Sequence, residues 1–149
     1  MINNTELKKL LLAVPIKICR NMDHQFVKSI LKDLNLNISQ QHFMILKLLE
    51  THEHLYITEF VEKLNITKPQ MTSLLDKLIE LDFISRTTDQ NDRRKIVITT
   101  TQSGKKLLTT INKAIDIQLD NYLIELNQEE LSALENGLKV LKKLCVNCN

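Results

Sequence analysis

The stretch that decides the fold is residues 56–101, YITEFVEKLNITKPQMTSLLDKLIELDFISRTTDQNDRRKIVITTT. Two short amphipathic runs come first, joined by Asn65-Ile66-Thr67. Thr58 is placed to cap the first, which carries Phe60, Val61 and Leu64. Two runs rich in β-branched residues follow, Phe83 to Thr88 and Lys95 to Thr101. Such runs favour strands, and the polar tip Asp89-Gln90-Asn91-Asp92-Arg93-Arg94-Lys95 between them reads as a hairpin loop. Helix, turn, helix and charged hairpin together form a winged helix-turn-helix. The second helix of such a unit can enter a DNA major groove, and the hairpin can reach a minor groove or the phosphates.

The second helix has a good N-cap in Thr67, and Pro69 is tolerated because it falls in the first turn. Met71, Leu74, Leu75, Leu78 and Ile79 make its inward stripe. The opposite face carries Thr67, Lys68, Pro69, Gln70, Thr72, Ser73, Asp76 and Lys77. Ser, Thr and Gln can reach base edges, and Lys can reach phosphates. For an isolated helix a plain solvated face would be the better reading; the hairpin behind it favours nucleic acid. In the hairpin, Asp92 can pair with one arginine and brace the turn, leaving the other arginine exposed. A guanidinium fits the narrow, electronegative minor groove of A·T-rich DNA, so Arg93, Arg94 and Lys95 are the wing candidates.

Outward from this unit the chain reads as helix. Apolar residues recur at helical spacing from Leu7 to Leu34 behind a possible cap at Thr5, with Pro15 predicting a kink. Asn35-Leu36-Asn37 ends that element. Ser39 caps a second helix over 40–50, apolar nearly all round and therefore central. Tyr56-Ile57 could add a short strand. Ser103 caps a fifth helix with Leu108, Ile111, Ile115, Leu119, Tyr122 and Leu126 as its stripe. Asn127 and Glu130 make a capping-box start for a sixth, where Leu131, Leu134, Leu138, Leu141, Cys145 and Cys148 form a coiled-coil-like seam. The expected fold is mainly α, an α+β winged helix of six helices with a small antiparallel wing. No linker or repeat divides residues 1–149. Residues 39–101 form the winged unit. The long stripes of 1–35 and 103–149 need a surface to bury against, and a second copy of the chain is the economical one.

Composition sets the bounds. The chain has 149 residues, 43% apolar and 26% charged, enough for one domain with a sizeable core. Two glycines and two prolines leave few breaks, so helix dominates. Net charge is only +2, so any nucleic-acid footprint must be local. No apolar run approaches the ~20 residues of a membrane span. The start, MINNTELKK, lacks a signal-peptide pattern, and the expected location is the cytoplasm, without membrane association. Three cysteines argue against a disulfide scaffold there.

The arrangement resembles the MarR family of bacterial and archaeal transcription regulators over nearly the whole chain. Asp92-Arg93-Arg94-Lys95-Ile96-Val97-Ile98-Thr99 is similar to that family's D-x-R wing signature, and Thr101-Gln102-Ser103-Gly104 to its strand-to-helix junction. Leu64-Asn65-Ile66-Thr67 through Lys77-Leu78 matches its recognition helix in spacing and character. One departure is Asp82, where the family often has Gly. The resemblance implies a homodimer on a palindromic operator in double-stranded DNA, usually acting as a repressor. It implies a pocket for a small aromatic or anionic effector between the helical dimer region and the winged unit. It also implies Arg93 as the minor-groove candidate and Arg94 as the partner of Asp92.

Other chemistry finds thin support. Cys145-x-x-Cys148 is a weak metal or redox signal, and seam positions explain both residues. Some family members sense peroxide with a cysteine on the first helix, but Cys19 lacks the tyrosines that usually accompany it. His42 sits where zinc-sensing relatives place a ligand, yet the fifth helix has no histidine to join it. His52 and His54 would need ligands from elsewhere. No phosphate-cradling glycine loop and no nucleophile with base and orienter is visible, so neither catalysis, metal nor cofactor is expected. The alternatives to a DNA-binding regulator are a winged-helix module that binds protein and a thiol- or metal-responsive sensor using Cys145 and Cys148.

Overall fold

The computed structural model describes residues 4–21 and 26–146. The described elements run α1 (Asn4–Asn21), α2 (Val27–Asp33), α3 (Gln40–Thr51), β1 (Leu55–Tyr56), α4 (Ile57–Leu64), α5 (Lys68–Glu80), β2 (Ile84–Thr88), β3 (Ile96–Thr100), α6 (Gln102–Leu123) and α7 (Gln128–Val146). This is the mainly helical winged-helix fold the sequence predicts, with one helix more than expected. Over the described residues of the long first stretch the helical spans are α1 and α2, and α1 continues through Pro15. A proline deletes one backbone donor but keeps a helical φ, so a helix can carry it at a cost.

Helix ends follow local chemistry. After α2 the chain reverses at Asn35, whose φ is 54°, while the Leu36 N–H reaches back to the Leu31 carbonyl at 2.9 Å. After α4 it reverses at Asn65, φ 51°, with the Ile66 N–H on the Val61 carbonyl at 3.3 Å. Asparagine tolerates this left-handed geometry better than most residues. After α5 the same role falls to Asp82, φ 57°. The carboxylate residue thus stands in the conformation that a glycine there would adopt most cheaply.

Two expected caps differ. The α4 N-cap is Tyr56, two residues before Thr58, because Tyr56 ends the short strand β1 and its N–H donates to Glu59 Oε2 at 2.7 Å. α6 begins at Gln102, and Thr101 rather than Ser103 caps it, its Oγ1 accepting the Gly104 N–H at 3.0 Å. The start of α7 is as expected: Asn127 Oδ1 accepts from the N–H groups of Glu129 and Glu130 at 2.9 and 3.0 Å, and Glu130 accepts the Asn127 N–H at 2.9 Å.

The strands form one antiparallel sheet in the order β1-β3-β2. Tyr56 pairs with Val97, Arg86 with Ile98 and Thr88 with Ile96. The chain divides into two compact units, Met1–Asn112 and Lys113–Asn149. The core of the first is built from Ile45 and Leu46 of α3, Phe60 of α4, Met71, Leu75 and Leu78 of α5, Ile98 of β3 and Ile111 of α6, all fully buried. Leu74 and Ile79, also expected on the inward stripe of α5, are half-buried at its margins. In α1 of that unit, Leu7, Leu10, Leu11 and Val14 are exposed. In the second unit, Ile117, Leu134, Leu138 and Val140 are likewise exposed.

Candidate nucleic-acid interface

α5 presents its outer face because Met71, Leu75 and Leu78 anchor the inner one. Thr67 starts the helix with a capping box: Gln70 Oε1 accepts from the Thr67 N–H at 3.2 Å and from its hydroxyl at 2.8 Å. The carbonyl end of Gln70 is therefore committed to the cap, and only its amide nitrogen is left to a partner. Lys68, Pro69 and Ser73 are exposed. The Thr72 hydroxyl donates to the Lys68 carbonyl at 3.1 Å, a common use of threonine inside a helix. Lys77 is half-buried and pairs with Glu80 at 3.1 Å, so part of its charge is spent within the helix.

The wing loop 89–95 is organised by a residue to which the sequence reading gives no role, Asp89. Its Oδ1 accepts the N–H groups of Asn91 and Asp92, both at 2.8 Å. Its Oδ2 accepts the Tyr56 hydroxyl at 2.9 Å. The loop closes with the Asp89 N–H on the Lys95 carbonyl at 3.0 Å and the Lys95 N–H on the Asp92 carbonyl at 2.8 Å. The backbone donor from Asp92 and the Tyr56 hydroxyl hold the Asp89 carboxyl below its usual range, and the same hydroxyl bond raises the Tyr56 phenol. A signal was present in the sequence: an Asp opening a loop commonly accepts the N–H two residues on.

Asp92 turns inward as well. Its Oδ1 accepts the backbone N–H of Arg94 at 3.1 Å, and no ion pair joins it to either arginine among the described residues. Arg93 and Arg94 are exposed. Lys95 Nζ lies 5.3 Å from the centre of the Tyr56 ring, within cation–π range. A basic residue not singled out in the sequence also bridges the two parts: Arg86 on β2 approaches Asp76 on α5 at 3.7 Å.

The remaining candidates fall elsewhere. His42 Nδ1 accepts the Ser39 N–H at 2.9 Å at the start of α3, and its buried Nε2 has no partner among the described residues. Burial, then the nearby Lys77 charge, holds its pKa below 6.5. Among the described residues no group of three His, Cys, Asp or Glu side chains is placed to hold a metal ion. Cys148 lies outside the described residues; Cys19 and Cys145 fall within α1 and α7. A groove of about 1030 Å³ opens between the end of α2 and the start of α3, with Lys28, Lys32, Leu31, Gln41 and Met44 among its walls. No helix of the described residues is long and apolar enough to cross a membrane.

A profile described as MarR family matches residues 38–96, from just before α3 to the first residue of β3. The uncharacterized HTH-type transcriptional regulator YpoP of Bacillus subtilis (strain 168) is 31% identical over 94 residues, 63% of this chain and 67% of YpoP. The crystal structure of apo MarR from E. coli superposes with a TM-score of 0.75 at 19% identity, covering 95% of this chain and 97% of that one. A variant of MepR from S. aureus, solved bound to an oligodeoxyribonucleotide, superposes with a TM-score of 0.63 at 23% identity, covering 97% and 99%.

Proposed function

From the premise that the chain belongs to the MarR family of winged helix-turn-helix transcriptional regulators, we propose that it represses transcription as a homodimer on a palindromic operator. Its relatives are regulators and not enzymes. In this reading residues 39–101 are the DNA-binding region. Thr67, Lys68, Pro69, Gln70, Thr72, Ser73 and Lys77 face the major groove. Arg93, Arg94 and Lys95 reach the adjacent minor groove or phosphates, and Asp92 braces the loop beneath them. Two such units read half-sites about one DNA turn apart. Residues 1–35 and 103–149 supply the dimer contacts, and the protein works in the cytoplasm, where its DNA is.

The observation that carries the reading is the state of the wing arginines. Both stand exposed, while Asp89 and Asp92 spend their carboxylates on loop N–H groups. MepR was solved with DNA, and this chain shares its fold. Support for self-association comes from the exposed leucines of α1 and α7, each of which gains roughly 1 kcal/mol when its open half is covered. The groove between α2 and α3 suits a small aromatic anion: Leu31 and Met44 offer apolar walls, and Lys28 and Lys32 offer charge.

The test is a fluorescence-anisotropy titration across a salt series, using the duplex upstream of the protein's own gene and a shuffled control. Tight binding to the native duplex with a steep salt slope is expected. Equal, weak binding to both, extended to a duplex pool with no sequence enriched, would refute a sequence-reading function.

A further inference from the structure

Tyr56 stands outside both the recognition helix and the wing, yet it touches each end of the wing loop. Its hydroxyl donates to Asp89 at the start of the loop, 2.9 Å away, and its ring lies under the ammonium of Lys95 at the end. Its backbone belongs to a third element. Tyr56 closes β1, pairs with Val97 of β3, and caps α4 through the 2.7 Å bond from its N–H to Glu59. One residue therefore links the first helix of the helix-turn-helix to the loop that carries Arg93 and Arg94.

We propose that Tyr56 is a positioning residue for DNA binding, fixing the wing tip relative to the helix-turn-helix through Asp89. The inference rests on the DNA reading above. Beyond the Tyr56–Val97 pair only β2 and β3 continue, through Thr88 and Ile96 into the loop, and a two-stranded end twists and sways unless something beside it holds the tip. Asp89 is the tip's internal frame, since it gathers the N–H groups of Asn91 and Asp92. Holding Asp89 therefore holds the loop backbone from which both arginines project. The bond is charge-assisted, a phenol donating to a carboxylate, which makes it stronger than a neutral pair. The Lys95–ring contact does not depend on the hydroxyl, so removing the oxygen alone isolates the link to Asp89.

The experiment uses the full-length dimer and the duplex that wild type enriches from a random-sequence pool. Tyr56→Phe is expected to weaken binding to that duplex by about fivefold, with unchanged helix content. In an Arg93→Ala, Arg94→Ala background the same substitution is expected to have no further effect, because the residue acts through the arginines. Backbone amide exchange at Asn91, Asp92 and Lys95 is expected to quicken about tenfold in Tyr56→Phe. Binding unchanged from wild type overturns the inference alone, and so does an equal loss with and without the arginines. A wild type that enriches no duplex overturns the DNA reading and the inference with it.

Discussion

Gly104→Ala should be among the most damaging single-methyl changes in this chain. A Cβ at residue 104 would lie 2.0 Å from the Phe83 carbonyl oxygen and 2.8 Å from Thr100 Cγ2. Ordinary C···O approach is about 3.3 Å or more, so the carbonyl must retreat by over ~1 Å. It is not at liberty to do so. The Phe83 oxygen accepts the Thr101 N–H at 3.1 Å, and the Thr101 hydroxyl donates to the Asp82 carbonyl at 2.6 Å. Moving residue 104 instead stretches the bond between its own N–H and Thr101. Overpacking against fixed backbone costs about 3 kcal/mol or more, and the better helix propensity of alanine returns only about 1. A net loss of ~2 kcal/mol corresponds to a fall in Tm of roughly 5 °C for a chain of this size. Circular-dichroism melts at one fixed protein concentration would read it, since the Tm of any self-associating chain depends on concentration. Gly137→Ala is the control: nothing among the described residues lies within 4 Å of its added carbon, so alanine should raise Tm slightly. A Gly104→Ala protein that melts at or above wild type would refute the close-approach argument.

The other expectations concern binding and pH. Arg93→Ala with Arg94→Ala should cut operator affinity strongly and lower the salt slope by roughly 1 per arginine removed; a loss within about twofold in titrations would count against the wing as a contact. Lys68→Ala should cost more affinity than Lys77→Ala, because Lys77 already shares its charge with Glu80; the reverse order in the same titrations would contradict that ranking. Stability should fall as pH drops below about 6.5, because His42 is held neutral by burial and by Lys77, so the unfolded chain binds the proton more readily. His42→Gln keeps an acceptor for the Ser39 N–H without the titration, and melts from neutral to mildly acidic pH should then show a flatter profile.

The winged unit was legible because its signals are local and mutually consistent. A stripe at Met71, Leu75 and Leu78 can only bury itself on one helix face, and Thr67 with Gln70 marks where that helix begins. Asn65 and Asn35 announced their reversals by a residue type that tolerates positive φ. The misses have the opposite character. That Tyr56 caps α4 depends on β1 pairing across to β3, a contact made by residues some forty positions apart. Pro15 carries no break either: α1 runs through it, so a proline in the sequence was a poor guide to a kink there. Arg86 meets Asp76 because β2 folds back beside α5, which spacing within either element does not reveal.

The wing also shows why charge counting along the sequence is a poor guide to the charge a loop presents. Residues 89–95 hold three cations and two anions, a loop close to neutral on formal charge. Were both carboxylates paired with guanidinium groups, little positive potential would remain at the tip. Instead each is directed at backbone N–H groups: Asp89 at Asn91 and Asp92, Asp92 at Arg94. These donors are partial positive charges that the tight loop turns inward and that would otherwise need water. The acids thereby stabilise the loop's shape without sitting against the arginines. An Asp→Asn change in the wing should for that reason remove order from the loop before it adds usable positive charge. Asp89→Asn is the sharper case, since its carboxylate holds two N–H groups and the Tyr56 hydroxyl at once.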